Sequence, residues 1–519
     1  MRYIYILLTV ISLITVTGCD KYLDVNVDPA NPQTAESRIL TPPLFAQMER
    51  GVQFDARYLG PLIQNWAFST PNMTGEIHGW YVGSDVTGEI WRTVYYGLGT
   101  NLSLIMEDAT ETKQYNYLGM AQAIRAWSWQ IGTDYHGELI LKQAFDPTRY
   151  TFDYDPQEAV YAEVVRLANE SIANFSKTDG NGTVGKMAVA DLVYNGDNAK
   201  WLKFNYGLLA RNMNNLSNKS TYNPAKVIEY ADKSLAGNSD NFIIPNNGLS
   251  TTDANFFGPI RSNFQLYRQS RMIVELLDGT SLTGTSGIVI DPRRSTMITA
   301  SADGVFRGVN PGAGDPARAN LTTNSVPNLY GTSSNNSPGA GFGKFLFRDN
   351  GGFPIMTYSE IQFIKAEAAL RSNNAALAHA AYIKGISAHI DFVSSLGTPI
   401  TSAQKTAYLT SAAVVQTPGA LTLKHIMLQK FIALWSHGFV ETWSDLRKYN
   451  YNAGDTKGNN PYLDVFMFPT TFFVDNNNKP AQRYRPRYNS EYIWNIPGLT
   501  AIGAEQPDYH TKKMWFAQP

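Results

Sequence analysis

The sequence predicts an all-α protein, a scaffold of paired helices carrying large irregular loop insertions. Two observations predict this. Over long stretches on both sides of the middle, apolar residues recur at the three- and four-residue spacing of helix faces. Between about 238 and 352, runs such as GVNPGAGDPARANLTTNSVP and YGTSSNNSPGAGFGKF are rich in Gly, Asn, Ser and Pro yet keep their aromatics. That composition suits ordered loops better than a linker. The 519 residues are ample for a large core, with charged residues at 17% and aromatics at 12%. A net charge of -1 lacks the basic excess that a dedicated nucleic-acid binder needs.

Taken in order, the chain opens with Arg2 and an uncharged, mostly apolar stretch over 4–16, too short to span a bilayer. It ends at Val16-Thr17-Gly18-Cys19, the layout of a lipoprotein signal cleaved before Cys19. Cys19 is the sole cysteine, which excludes a disulfide framework or a thiolate zinc cluster. The expected organisation is a signal peptide at 1–18, a polar, turn-rich tether at 19–41 and one domain over 42–519. Acyl chains on Cys19 would anchor the protein to a membrane.

Within the domain, 116–133 places Leu118, Ala121, Ile124 and Trp127 or Ser128 on one helical side. A helix after Pro156 has Asp155 as its expected N-cap and Val160, Val164 and Leu167 as its stripe. Trp201, Phe204, Leu208 and Met213 continue the pattern. The stretch 354–371 reads as a helix paired with one that follows SNN. Ala368, Ala380 and Ser387 fall at the cadence of small residues in tetratricopeptide helix pairs. A last buried stripe runs through Leu423, Ile426, Met427, Phe431, Leu434 and Trp435.

Catalytic signatures are missing. There is no HExxH, no GxSxG and no His pair at metal spacing, and the seven histidines are scattered singly, as packing residues are. GAGFGK at 339–344 fails the phosphate-loop pattern at Pro338. Asp153 with Asp155, or Glu76 with Asp85, could serve a glycoside hydrolase, but carboxylates are too common to be specific. The expectation is a non-enzyme without cofactor or metal.

Five blocks occur in order: Arg125-Ala126-Trp127 followed by Asp134 to Ile140; the segment 191–218 with Arg211; Asp291-Pro292-Arg293; 358–371 with its AEA; and 428–450. Together they resemble the SusD/RagB family of surface lipoproteins. In the last block, Gln429-Lys430 stands where an acidic-basic pair is usual. The resemblance implies about four tetratricopeptide-like helix pairs and a SusC-type TonB-dependent transporter as partner, with this chain as its lid. It implies capture of an oligosaccharide, or alternatively an oligopeptide, at the cell surface of the outer membrane. Sugars stack apolar C–H faces on aromatic rings, so the expected ligand contacts are Trp66, Trp80 and Tyr81, whose neighbours favour exposure, and Phe256, Phe257, Tyr330 and Phe342 from the insertion. Trp127, Trp129, Trp201, Trp435 and Trp443 are assigned to packing, and Arg125, Arg211 and Arg447 to structural hydrogen bonding.

Overall fold

The computed structural model describes residues 36–177, 184–283 and 287–519. Cys19, the signal peptide and the tether as far as residue 35 lie outside them.

Helix α1 (Ser37–Leu62) begins inside the stretch assigned to the tether and takes Pro42 and Pro43 into its second turn. Its first turn is held by Ser37, whose Oγ and N donate to Asp108 Oδ2 at 2.5 and 3.2 Å. The scaffold then runs through α2 (Thr100–Glu111), α3 (Tyr115–His136), α4 (Gln157–Phe175), α5 (Asn198–Asn215), α6 (Pro224–Lys233), α7 (Tyr358–Arg371), α8 (Ala375–Ser394), α9 (Leu423–Leu434) and α10 (Phe439–Lys448). Helices pair in sequence as α2 with α3, α5 with α6, α7 with α8 and α9 with α10, and α4 packs between α3 and α5. The all-α scaffold of helix pairs is what the sequence predicts.

Two of the pairs turn in the same way. Lys113 and Asn373 both adopt a left-handed backbone, at φ 57° and 59°. In each case the next residue returns its N–H to the preceding helix: Gln114 to Ala109 O and Asn374 to Ala369 O, both at 2.9 Å. The repeat is therefore visible in backbone hydrogen bonding although the turn sequences differ.

Local readings need four corrections. Helix α3 has no single apolar side, because residues from Asn116 to His136 are buried apart from Leu118; neighbours enclose it all round. Asp155 does not cap α4: Pro156 holds that place, and the Asp155 carboxylate accepts from Leu141 N and Lys142 N at 3.1 and 2.9 Å. Residues 353–356 form a strand, and α7 starts only after Thr357, whose Oγ1 accepts from Glu360 N. The close approach of α7 and α8 does not use Ala380, which is exposed. It uses Gly385, where a Cβ would meet the Phe363 ring at 2.9 Å.

Two short antiparallel ribbons clasp the insertion to the scaffold. β1 (Trp66–Phe68), just after α1, pairs with β3 (Tyr267–Gln269), and β2 (Phe242–Ile244) pairs with β4 (Phe353–Met356), just before α7.

The motif residues meet as buried ion pairs between helices. Arg211 Nε reaches Glu360 Oε1 at 2.8 Å and its Nη1 reaches Glu441 Oε1 at 2.8 Å. Glu367 accepts from Lys448 Nζ at 3.1 Å and from Tyr449 OH at 2.7 Å. Lys448, Arg371 and Lys430 hold the Glu367 carboxyl well below the usual range against the penalty of burial. Lys430 pairs with Asp445 at 2.8 Å. Gln429, in the place of the usual acid, accepts from Arg293 Nη2 at 2.8 Å and donates to Tyr408 OH at 3.1 Å. These buried residues tie the helix pairs together.

Candidate ligand-binding site

The aromatics expected to bind ligand divide between a closed nest and an open surface. Trp66 is wholly buried, ringed by Phe439, Phe264, Phe257 and Phe347 at centroid distances of 5.1, 5.2, 5.9 and 5.9 Å. Gly60 makes room for it, since a Cβ there would lie 2.2 Å from its indole. Phe257 is equally buried, and Tyr330, 3% exposed, accepts from Phe264 N through its hydroxyl at 2.9 Å. The expected exposure of Trp66 and the expected ligand contacts of Trp66, Phe257 and Tyr330 are therefore corrected. They weld the insertion to the scaffold, and no ring face is left for a ligand.

The open surface starts on the second half of α1. Arg57 lies over Phe54 at 4.1 Å, Phe256 at 5.2 Å and Tyr58 at 5.4 Å. Arg261 flanks Phe256 from the insertion side at 5.5 Å. Tyr81 meets Tyr58 edge-on at 5.3 Å. Phe54, Arg57, Tyr58 and Tyr81 are each half-buried, so rings and cations share one polar-rimmed platform. Phe256 lies at its inner edge, 8% exposed. Phe342, 60% exposed, stands on a loop tied to the same side through Asp349, which accepts from Ile260 N and Gly341 N, both at 2.9 Å. Trp80 is half-buried, with one face covered by Arg485 at 3.8 Å and its Nε1 donating to Asp475 Oδ2 at 3.2 Å.

A cleft of about 470 Å³ opens among a second set of aromatics. Arg487 borders both the cleft and the slot beneath Trp80 and Tyr81. The cleft's main walls are Trp91, Tyr95, Tyr96, Phe145 and Phe152. A short helix (Glu89–Arg92) leads into a π-helical turn (Thr93–Gly99), which carries Tyr95 and Tyr96. Such turns insert one residue into a helix and re-aim its side chains. Gly99 lets Phe145 close in, for a Cβ there would meet the Phe145 ring at 2.2 Å. Phe145 has a left-handed backbone, φ 66°, which is strained for a bulky side chain. Arg125, one of the motif residues, holds it: the guanidinium lies 4.6 Å over the Phe145 ring and donates to Gly99 O at 2.7 Å.

Around the site several groups are pushed toward neutrality. Burial raises Asp55 to about 7 and Glu76 to about 8, and burial beside Tyr58 raises Tyr81 to about 12. Burial lowers His136, edge-on to Trp91 at 5.3 Å, to about 3, so it is neutral in the core against Trp91. The acid pairs of the hydrolase reading are engaged elsewhere. Glu76 Oε1 accepts from Phe68 N at 3.0 Å, Asp85 binds Arg487 and Asn489, and Asp153 accepts from Gln143 at 2.8 Å. Lys344, of the rejected phosphate loop, donates to Ile298 O and Ser295 O, and burial lowers it to about 8. Among the described residues no group of three His, Cys, Asp or Glu could hold a metal ion.

A family model described as "Starch-binding associating with outer membrane" matches residues 29–464. The chain belongs to this SusD-like family. Solved structures agree on the fold. A SusD/RagB family protein from Bacteroides thetaiotaomicron superposes with a TM-score of 0.69 at 21% identity, covering 93% of this chain and 99% of that one. A SusD homolog from Bacteroides fragilis gives 0.65 at 19%, covering 93% and 100%. A chitin-binding SusD homolog from Flavobacterium johnsoniae gives 0.66 at 19%, covering 93% and 96%. No curated protein matches the sequence. In this SusD-like chain, sequence reasoning missed Phe54, Tyr58, Tyr95, Tyr96, Phe145, Phe152 and Arg487. The only local signal was the crowding of Trp91, Tyr95 and Tyr96 before the Gly97 and Gly99 pair.

Proposed function

We propose that this SusD-like protein captures oligosaccharides at the cell surface without transforming them. In this reading it passes them to a SusC-type TonB-dependent outer-membrane transporter, which it covers as a lid. Cys19, lipidated after removal of the signal peptide, anchors it to the outer membrane; among the described residues no helix is long and apolar enough to cross a membrane. The family's description, starch binding in association with the outer membrane, supports this reading, as does the chitin-binding relative of the same fold.

The observation that carries the proposal is the platform of Phe54, Tyr58, Tyr81 and Arg57. Half-exposed rings offer faces to sugar C–H groups, and the cations of Arg57 and Arg261 stand ready for hydroxyl oxygens. Non-enzymatic action is supported by the engagement of the nearby carboxylates in structural hydrogen bonds. Calorimetric titration against starch- and chitin-derived oligosaccharides, with a peptide panel beside them, tests the reading. Binding to an oligosaccharide that Tyr81→Ala weakens is the expected result. Binding confined to peptides, or release of shorter sugars during the titration, would overturn it.

A further inference from the structure

A separate pocket, of about 770 Å³, opens where several scaffold helices begin or end. Arg371 closes α7, Lys424 lies in the first turn of α9 and Pro224 opens α6, while Lys457, Asn459 and Asn460 come from the loop after α10. None of the platform residues lines it.

Among the described residues its lining carries three cations, Arg371, Lys424 and Lys457, and no carboxylate. The acids that balance Arg371 stand behind it: Asp455, at 3.3 Å, and Glu367, at 3.5 Å, both have wholly buried side chains. Asp455 is further engaged by Lys457 N at 2.9 Å and Asn459 N at 2.8 Å, within its own loop. The Arg371 side chain is only 7% exposed; its Nη2 donates to Tyr449 OH at 3.0 Å and to Asp455, and its Nη1 donates to no described residue. Lys424 and Lys457 have no ion-pair partner among the described residues. Each ammonium gives one hydrogen bond, to Leu463 O at 3.1 Å and to Ser217 O at 3.2 Å, and keeps two donors free.

One acceptor is also left over. Asn460 Nδ2 donates to Asn452 O at 2.6 Å, which fixes the amide's orientation, and its Oδ1 is buried without a donor among the described residues. An acceptor in that state calls for an O–H or N–H from a ligand. Sulfate, fully ionised, has no proton to give it. Apolar wall comes from Leu370, Leu423 and the half-buried ring of Tyr222, whose hydroxyl is turned to Asn214 Oδ1 at 3.3 Å. The volume lies in the range of small-molecule sites.

Negative charge, a hydroxyl donor and a C–H face are combined in a sugar acid. We infer that this pocket is a second ligand site, for a uronic acid sugar, with its carboxylate on Arg371, Lys424 and Lys457 and a hydroxyl on Asn460. A sugar acid is favoured over an acidic peptide because one compact ring brings the carboxylate, the hydroxyls and the apolar face together.

The test measures D-glucuronate and D-galacturonate against D-glucose and D-galactose, with sodium sulfate and the peptide Gly-Glu-Gly as competing cases, by calorimetry and saturation-transfer NMR. Wild type should bind a uronate at least about tenfold tighter than its neutral counterpart at low salt. The preference should shrink as NaCl rises from about 50 to about 500 mM. Combining Lys424→Gln with Lys457→Gln, at a half-buried and an exposed position, should weaken uronate binding about tenfold at an unchanged melting temperature. Asn460→Leu should weaken uronates more than sulfate. Equal affinity for uronates and neutral sugars, or uronate binding that survives the double lysine variant, overturns the inference. Sulfate binding as tight as that of the uronates makes the pocket an inorganic-anion site, and tighter binding of Gly-Glu-Gly makes it a peptide site; either result overturns the inference too. No platform residue is altered in these variants, so failure of the platform reading, seen as oligosaccharide binding indifferent to Tyr81→Ala, is a separate result.

Discussion

The nest around Trp66 and the surface around Tyr81 and Trp91 use the same residue types and lie close together in the chain, yet their rings are covered to different degrees. In the nest every ring is enclosed by other rings, and Trp66 bridges α1, the insertion and α10. On the surface the rings of Phe54, Phe145 and Trp80 pack against Arg57, Arg125 and Arg485 and are only partly buried. What separates the two is how many faces are covered, and that depends on which segments return to the same place.

The comparison can be broken in a graded way. Trp66→Ala should destabilise the protein by about 3–5 kcal/mol through cavity formation, read by chemical denaturation, while glycan affinity below the unfolding transition changes by less than about twofold. If Trp66→Ala were to abolish binding with stability intact, the nest would be part of the site.

A second probe is the dryness beneath β1. Glu76 is neutral in the fold up to about pH 8, whereas in the unfolded chain it ionises above about 4.3. Its contribution is therefore full at low pH and is lost as pH rises from the ordinary carboxylate range toward 8. Glu76→Gln should flatten that part of the melting-temperature profile. An unchanged slope would mean that water reaches the carboxyl. Glu367 works in the opposite sense: ion pairs depress it, so its contribution is present above the ordinary carboxylate range and fades as pH falls below it.

On the surface, effects should appear in binding. Tyr81→Ala should weaken oligosaccharide binding about tenfold, or about 1.4 kcal/mol, with a loss of stability no greater than that. The smallest effect on stability belongs to Tyr96→Ala, within about 0.5 kcal/mol at an exposed position.

The scaffold was legible because helix periodicity is local. The stripe through Ile426, Phe431 and Leu434 is buried as read. The motif residues were also legible, and their assignment to structural hydrogen bonding holds for Arg211 and Arg447, the latter donating to Gln482 O at 2.8 Å. The aromatics were less so. Glycine, proline and polar neighbours made Trp66 look exposed, but its enclosure comes from Phe257, Phe347 and Phe439, far along the chain. Phe145 and Arg487 could not be selected from sequence, because the cleft forms where the π-helical turn, the 140–152 loop and the 485–492 segment converge. Nothing in the spacing of WRTVYYGLG specifies the extra residue of that turn.

The central claim is that the half-covered rings bind intact glycan while the enclosed rings only hold the fold. It is tested most directly by titrating oligosaccharides into wild type, Tyr81→Ala and Trp66→Ala and measuring heat of binding, melting temperature and sugar chain length on the same samples. The account predicts weaker binding with little loss of stability for Tyr81→Ala, lower stability with near-native affinity for Trp66→Ala, and unaltered sugars throughout. The reverse pattern for the two variants, or shortened sugars with wild type, would contradict it.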